Sequence, residues 1–165
     1  MIFVTVGTIL PFDRLIAAVD AWAGATGRGD LLFGQLCRLG PDNHRPAHFE
    51  WAEELTPMEF RARVEAADAI VAHAGIGTIV DALTRSKPLL IMPRRHALRE
   101  HVNDHQLETV AKFAGREGLL TAMKAEQVGP ALDVLAAGAG TPPRLGPDAD
   151  ESLIAAVRQA VLGMR

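Results

Sequence analysis

The sequence has one cysteine, no excess of positive charge and no long hydrophobic run, and each absence excludes a class of protein. Cys37 is the only cysteine among 165 residues, so an internal disulfide is excluded, which fits a reducing compartment. A formal net charge of -3 gives no electrostatic case for nucleic acid, whose binding proteins usually carry a basic face. No apolar run approaches the roughly 20 residues that a membrane-spanning helix needs.

The first residues also lack the features of a secretory signal. Residues 1–6 carry no basic region and run directly into a strand pattern. We therefore expect a soluble, cytoplasmic chain that reaches the inner face of a membrane only through a partner. The length suits one domain with a proper core, and no internal repeat or low-complexity tract interrupts it.

Strand-like and helix-like stretches alternate, which predicts an α/β fold with a doubly wound parallel sheet. The strand patterns fall at residues 2–6, 31–36, 48–51, 70–72, 89–92 and 118–121. The helical patterns fall at residues 13–22, 57–67, 76–85, 104–113 and 125–135. Ligands of such sheets bind at the carboxyl ends of the strands. We therefore expect a site near the loops that follow the first, fourth and fifth strands.

The most informative stretch begins at an apolar run, residues 69–72, which predicts a buried strand. The run ends at His73, crosses Gly75 and Gly77, and enters a helical pattern. Such a turn directs unpaired N–H groups and the helix dipole at one point, which favours a phosphate or another anion. Asp81, further along the helix, lies where it can accept hydrogen bonds from a ribose. Glycines at a strand–helix turn also occur where nothing binds, so both interpretations remain open.

Three stretches in this order resemble the C-terminal domain of glycosyltransferase family 28, which is one half of a GT-B enzyme. They are residues 3–8, 73–78 and 103–108, and the segment 87–93 also fits. The resemblance covers residues 1–135 and implies a Rossmann-like single GT-B half-domain. Within this family, the chain resembles the small donor-binding subunit of two-part transferases that use UDP-N-acetylglucosamine or UDP-glucuronic acid.

The resemblance implies a nucleotide-sugar site built from three loops. The loop after the first strand would face the nucleotide phosphates through Gly7 and Thr8. The pyrophosphate turn would consist of His73, Gly75, Gly77 and Thr78. A later loop would reach the donor sugar or diphosphate through Asn103, His105 and Gln106.

Some of these positions depart from the family pattern or have a structural alternative. Relatives generally carry a glutamate where this chain has Asp81, which would hold the ribose, and the shorter side chain weakens a bidentate contact. Asn103 and Gln106 have the spacing of a helix cap with its reciprocal partner, which would explain both residues without a sugar. His73 also fits a hydrogen-bonded histidine at the edge of the core.

The implied function is transfer of a sugar from a UDP-sugar to a lipid-linked acceptor with inversion at the anomeric carbon. The general base and the acceptor site would belong to a membrane-associated partner subunit, so no catalytic residue is assigned here. The resemblance implies no cofactor beyond the UDP-sugar substrate and no catalytic metal. The alternative is a non-catalytic module that binds nucleotide sugars for regulation.

Two further clusters have alternative interpretations. His96, His101 and His105 are close in sequence and suit a zinc-dependent hydrolase only if the last two share a helical face. A loop conformation for residues 93–103 argues against that site. The loop carries arginines at positions 94, 95 and 99. They predict a charge that offsets a departing UDP, a solvated basic loop, or a contact with acidic lipid headgroups.

The chain beyond the resemblance predicts two further parts. Residues 136–149 are rich in glycine and proline and predict a linker. Residues 150–165 predict an amphipathic helix, because apolar residues recur there at helical spacing after an acidic start. Its apolar stripe would pack on this chain's own sheet or on a second protein.

Overall fold

The computed structural model describes residues 1–138, which form one parallel sheet covered by helices on both faces. The strands are β1 Ile2–Thr5, β2 Leu32–Gln35, β3 Glu50–Ala52, β4 Ala69–His73, β5 Leu89–Met92 and β6 Leu119–Thr121. The helices are α1 Asp13–Thr26, α2 Pro57–Ala66, α3 Ile76–Thr84, α4 His105–Phe113 and α5 Val128–Ala136. The strand order is β3-β2-β1-β4-β5-β6, and every neighbouring pair is parallel. The predicted doubly wound α/β fold is confirmed.

The strand order reverses beside β1, and this reversal creates the place for a site. From β1 the chain first builds outward through β2 and β3, and then returns to the other side of β1 with β4. The loops after β1 and β4 therefore leave their strands in opposite directions. A crevice at the carboxyl edge results, and ligands of doubly wound sheets bind in such crevices.

Alternate residues of the central strands face two separate hydrophobic cores, because successive side chains of a strand point to opposite faces. Val4 and Val71 pack with α1 and α5 on one face of the sheet. Phe3 and Ile70 pack with α2, α3 and α4 on the other face. With both faces covered, the central strands are apolar except at their carboxyl ends, Thr5 in β1 and His73 in β4, as is typical of parallel sheets.

Several element boundaries differ from the sequence prediction for local reasons. Helix α1 continues to Thr26, four residues past the predicted end, and stops where Gly27 adopts a φ of 67° and caps it. Strand β3 begins at Glu50, two residues later than predicted. Helix α4 begins at His105 and not at residue 104.

The loop between β2 and β3 is held against α1 by one buried carboxylate. Asp20 accepts hydrogen bonds from the backbone N–H groups of Ala47 and His48, at 3.1 and 2.9 Å. Its oxygens also lie 3.0 Å from His44 Nε2 and 3.1 Å from His48 Nδ1. Burial alone would raise the pKa of Asp20, but these hydrogen bonds hold it below its ordinary value of 3.8.

Two expectations concern the membrane and the end of the chain. Within residues 1–138, no helix combines the length and hydrophobicity needed to cross a membrane. The predicted linker falls almost wholly outside the described residues, and the predicted helix at residues 150–165 falls outside them entirely, so both stay predictions.

Replacing Asp20 by asparagine tests the importance of this carboxylate for stability. At pH 7 we expect Asp20→Asn to lower the free energy of unfolding by about 1–3 kcal/mol, because hydrogen bonds to a charged group are lost. The native pKa lies below 3.8, so this stabilisation is present above that pH and disappears as the pH falls through the native pKa. Urea denaturation at pH 7 and at pH 3 measures the difference, which should shrink at the lower pH.

Asp42→Asn is the matched control, because Asp42 is exposed in the same loop. It should change the free energy of unfolding by less than about 0.5 kcal/mol. An equal loss in both variants, or a loss at Asp20 that is independent of pH, would show that the buried charge does not hold the loop.

Candidate functional site

Two neighbouring cavities open at the carboxyl edge of the sheet, and Gly7 and Thr8 line both of them. The histidine cavity, of about 240 Å³, is lined among others by His73, Arg94, His101 and Gln106. The aspartate cavity, of about 450 Å³, is lined among others by Gln35, Leu55, Phe60, Arg61, Thr78, Asp81 and Arg85. The turn from His73 to Thr78 thus has one end in each cavity.

The turn between β4 and α3 leaves the start of the helix open. Gly75 is the residue that caps α3, and it has no side chain with which to hydrogen-bond the first turn. A Cβ atom on Gly77 would meet no other atom within 4 Å, so the space beside the helix start is empty. Unpaired N–H groups and the positive end of the helix dipole suit an anion there.

His73 packs its ring over two of the glycines. A Cβ atom on Gly75 would lie 2.3 Å from His73 Nε2, and one on Gly7 would lie 3.1 Å from His73 Cε1. The ring in this position therefore excludes a side chain at Gly75 and crowds one at Gly7, where the φ of 79° also favours glycine. The two loops of the predicted phosphate site meet at this imidazole.

The environment of His73 keeps its imidazole neutral. Burial, followed by the positive charge of Arg94, lowers the pKa of His73 to about 4. Its buried Nδ1 has no hydrogen-bond partner within residues 1–138. A backbone contact with Thr5 partly offsets this lowering of the pKa, so the interpretation of His73 as a histidine at the edge of the core stays a prediction beside that of a phosphate site.

A polar network between the ends of β1 and β2 anchors the loop after β1. Thr5 Oγ1 donates to Gln35 Oε1 at 2.7 Å, and Gln35 Nε2 donates to the carbonyl of Gly7 at 2.9 Å. Both side chains are buried, at 1% exposure each. The network fixes the backbone at Gly7, where the two cavities join.

Arg94, in the loop after β5, also anchors the loop after β1. Its buried guanidinium donates to the carbonyls of Val6, Leu10 and Pro11, at 2.9, 2.5 and 2.7 Å. It also lies 4.6 Å from the centre of the Phe12 ring. Burial lowers the pKa of Arg94 to about 10, so it stays charged at neutral pH. For Arg94, the interpretation as part of a solvated basic loop was wrong, because its side chain is 2% exposed.

The Asn103–Gln106 segment differs from the prediction of a helix cap. Helix α4 begins after Asp104, whose own side chain makes no capping hydrogen bond. The Gln106 side chain instead accepts from the backbone N–H of Arg94 at 3.0 Å, while Asn103 Oδ1 accepts from His105. The reciprocal half of the capping interpretation was wrong, because Gln106 is buried against the β5 loop, whereas Asn103 does accept from the first backbone N–H of α4.

The structure brings most, but not all, of the predicted site residues together. Gly7, Thr8, His73 and Gln106 line the histidine cavity, and Thr78 and Asp81 line the aspartate cavity. Gly75 and Gly77 lie in the turn between them, whereas Asn103 and His105 are not among the residues that line either cavity. Their assignment to the sugar stays a prediction.

Asp81 faces the aspartate cavity but already has a partner. Its carboxylate forms an ion pair with Arg85, one helical turn later. The side chains of Asp81 and Arg85 are 36% and 28% exposed, so both remain accessible from the cavity. A ribose would have to share the carboxylate with this guanidinium.

Sequence reasoning did not identify several residues of the cavity walls. Leu55, Phe60 and Arg61 come from α2 and the segment before it, where the sequence shows a capping box for the helix but no ligand-binding motif. Gln35 could have been identified as a residue of the cavity wall, since it is a polar residue in an otherwise apolar strand pattern. His101 was considered only as a metal ligand.

The histidines do not form the geometry of a metal site. His101 lies before α4 and shares no helical face with His105, although their rings pack edge to face with centroids 4.6 Å apart. Among the described residues, no group of three or more histidine, cysteine or acidic side chains is arranged to hold a metal ion. The hydrolase interpretation thus finds no support in this part of the chain.

A parallel sheet with cavities at its switch point defines a Rossmann-like domain. Its backbone is similar to the glycosyltransferase SnogD from Streptomyces nogalater, with a TM-score of 0.56 and 20% identity over 97% of this chain and 38% of that one. It is also similar to the glycosyltransferase of kitacinnamycin, with a TM-score of 0.59 and 20% identity. That match covers 98% of this chain and 41% of the other.

The chain belongs to glycosyltransferase family 28, and its residues 1–144 match the C-terminal domain of that family. It is 32% identical over 126 residues to the human protein named UDP-N-acetylglucosamine transferase subunit ALG13, and 31% identical over 125 residues to the mouse protein of that name. These matches cover 72% of this chain and 10% of each relative. The chain thus spans about a tenth of the length of the curated relatives it matches.

Replacing Arg94 by methionine tests its structural role. We expect Arg94→Met to lower the free energy of unfolding by about 2–3 kcal/mol, because buried carbonyls lose their donors. Urea denaturation measures the loss. Arg99→Met is the control, since Arg99 is exposed in the same loop. Similar stability of the two variants would contradict the anchoring role.

Proposed function

We propose that this chain is the donor-binding half of an inverting glycosyltransferase that moves a sugar from a UDP-sugar to a lipid-linked acceptor. The observation that carries the proposal is the open glycine turn at the start of α3, with a cavity on either side. One nucleotide sugar, with its diphosphate in the middle, has the chemistry to fill both cavities.

The linings of the two cavities suggest how the donor would lie. The aspartate cavity combines an apolar wall at Leu55 and Phe60 with a carboxylate at Asp81, which suits a base and a ribose. The diphosphate would sit at the turn, and the sugar would extend into the histidine cavity. Asn103 and His105 line neither cavity, so this scheme gives them no contact with the donor.

The chemistry assigned to this chain is binding of the donor and stabilisation of the leaving group. An acceptor hydroxyl attacks the anomeric carbon, the bond from that carbon to the diphosphate oxygen breaks, and negative charge grows on UDP. N–H groups at the start of α3 and the helix dipole face this charge without reorganising, which is the usual largest electrostatic contribution. No cofactor or metal ion enters this scheme.

The scheme requires a second protein that supplies the general base and the acceptor site. A cleft open on one side cannot hold two substrates in line or exclude water. The mammalian relatives are named as transferase subunits, which supports a multi-part enzyme. We therefore propose a membrane-associated partner that recruits this chain to the cytoplasmic face of a membrane. The predicted helix at residues 150–165 is a candidate contact.

The Asp81–Arg85 ion pair favours a second candidate, a regulatory module that binds nucleotide sugars without transferring them. An aspartate that is both shorter than glutamate and already paired would hold a ribose less firmly. Such a module would bind UDP-sugars and remain inactive with every partner.

Calorimetric titration of the chain with UDP, and with ADP and GDP as controls, tests donor binding. We expect selective binding of UDP and a loss of about tenfold or more in affinity for Gly77→Ala, because the added methyl group enters the space assigned to the diphosphate. Gly129→Ala is the matched control. Gly129 is also the second residue of a helix, and its Cβ would make only an ordinary 3.6 Å contact with Trp22.

Both glycine variants should fold, since alanine is the better helix former at each position. If Gly77→Ala binds UDP as tightly as Gly129→Ala does, the diphosphate does not lie at this turn. If the wild-type chain binds none of the three nucleotides, donor binding by this chain alone is contradicted.

A transfer assay separates the enzyme from the regulatory module. The chain would be mixed with the product of a neighbouring reading frame that encodes a membrane-anchored, Rossmann-like half. We expect incorporation of labelled sugar from UDP-N-acetylglucosamine or UDP-glucuronic acid into lipid only when both proteins are present. The Gly77→Ala chain is the negative control. Binding of UDP without transfer in any mixture would favour the regulatory module.

A further inference from the structure

His101 has an unsatisfied polar atom beside the histidine cavity, and the proposed function does not yet use it. The residue lies in the loop between β5 and α4 and lines this cavity together with Gly7, Thr8 and His73. Its Nδ1 is buried and has no hydrogen-bond partner within residues 1–138. An unpaired buried nitrogen is costly for a folded protein, so its persistence beside a cavity points to a ligand.

The position of the His101 ring is fixed by the loop around it. The ring packs edge to face on His105, and the carbonyl of His101 lies 3.2 Å from His96 Nδ1. The preceding residue, Glu100, receives two hydrogen bonds of 2.7 Å from the guanidinium of Arg14. The imidazole is therefore held in place before any ligand arrives, which lowers the entropic cost of binding.

The chemistry of this cavity suits hydroxyl groups better than a second phosphate. Arg94, although it lines the cavity, has its guanidinium hydrogen-bonded to backbone carbonyls. His73 is neutral at pH 7, because burial and the charge of Arg94 lower its pKa to about 4. Imidazole nitrogens that either donate or accept a hydrogen bond match sugar hydroxyls, which do both.

Resting on the donor site proposed above, we infer that His101 hydrogen-bonds the sugar of the UDP-sugar and makes this chain bind the donor more tightly than UDP. The nucleoside would occupy the aspartate cavity and the diphosphate the turn, so the group beyond the diphosphate reaches the histidine cavity. His101 is then a specificity residue for the donor sugar, separate from the residues that hold the nucleotide.

Calorimetry of the full chain with UMP, UDP, UDP-N-acetylglucosamine and UDP-glucuronic acid tests this role. His101→Phe keeps an aromatic ring against His105 but removes both nitrogens, and His101→Asn keeps a polar atom near the position of Nδ1. We expect His101→Phe to weaken binding of the preferred UDP-sugar about five- to tenfold and to leave UMP and UDP unchanged. His101→Asn should recover part of the loss.

His96→Gln is the control for the loop, because it alters the contact with the His101 carbonyl and leaves the His101 ring in place. Equal losses in His96→Gln and His101→Phe would overturn the inference, since loop position and not the imidazole would then be responsible. A loss for UDP as large as that for the UDP-sugar would move the contact to the phosphate and likewise overturn it.

The two proposals fail in different ways. If the wild-type chain does not bind UDP, the donor site itself is contradicted, whatever the His101 variants do. If the wild-type chain binds UDP but binds neither UDP-sugar more tightly, or if His101→Phe binds the UDP-sugar unchanged, the donor site stands and only the role of His101 is wrong.

Discussion

The buried guanidinium of Arg94 is the interaction on which the candidate site depends. It comes from the loop after β5 and donates to three backbone carbonyls of the loop after β1, on the far side of β4. The two loops therefore keep a fixed separation across the strand whose turn is expected to hold the diphosphate. The backbone N–H of Arg94 also fixes Gln106, so the start of α4 is tied to the same point.

This arrangement leaves the site with few free positive charges. Arg94 is occupied by carbonyls, Arg85 is paired with Asp81, and His73 is neutral. Besides Arg61, which is exposed on the wall of the aspartate cavity, an anion at the turn would therefore meet mainly N–H groups and a helix dipole, whose attraction fades within one turn. Such a site recognises a diphosphate by close backbone approach, and for this reason the glycines matter more than the arginines.

The sequence predicted the fold well because a parallel sheet buried on both faces produces unbroken apolar strands at regular intervals. The turn from His73 to Thr78 was recognisable for a local reason, since strand, glycines and helix are contiguous. Arg94 was not, because three arginines in one loop look alike and only topology brings one beside the carbonyls of residues 6–11. Gln106 was misread as part of a cap, since its actual partner lies twelve residues earlier in the chain.

The ring of His73 also restricts which residues evolution can place at positions 7 and 75. Gly7 and Gly75 both lack a side chain where this imidazole lies, although 68 residues separate them in the sequence. A homologue with a small residue at position 73 would have room for alanine at position 75, whereas position 7 would still need glycine for its backbone angle. Covariation across the family should therefore couple position 75 to position 73 and leave position 7 nearly invariant.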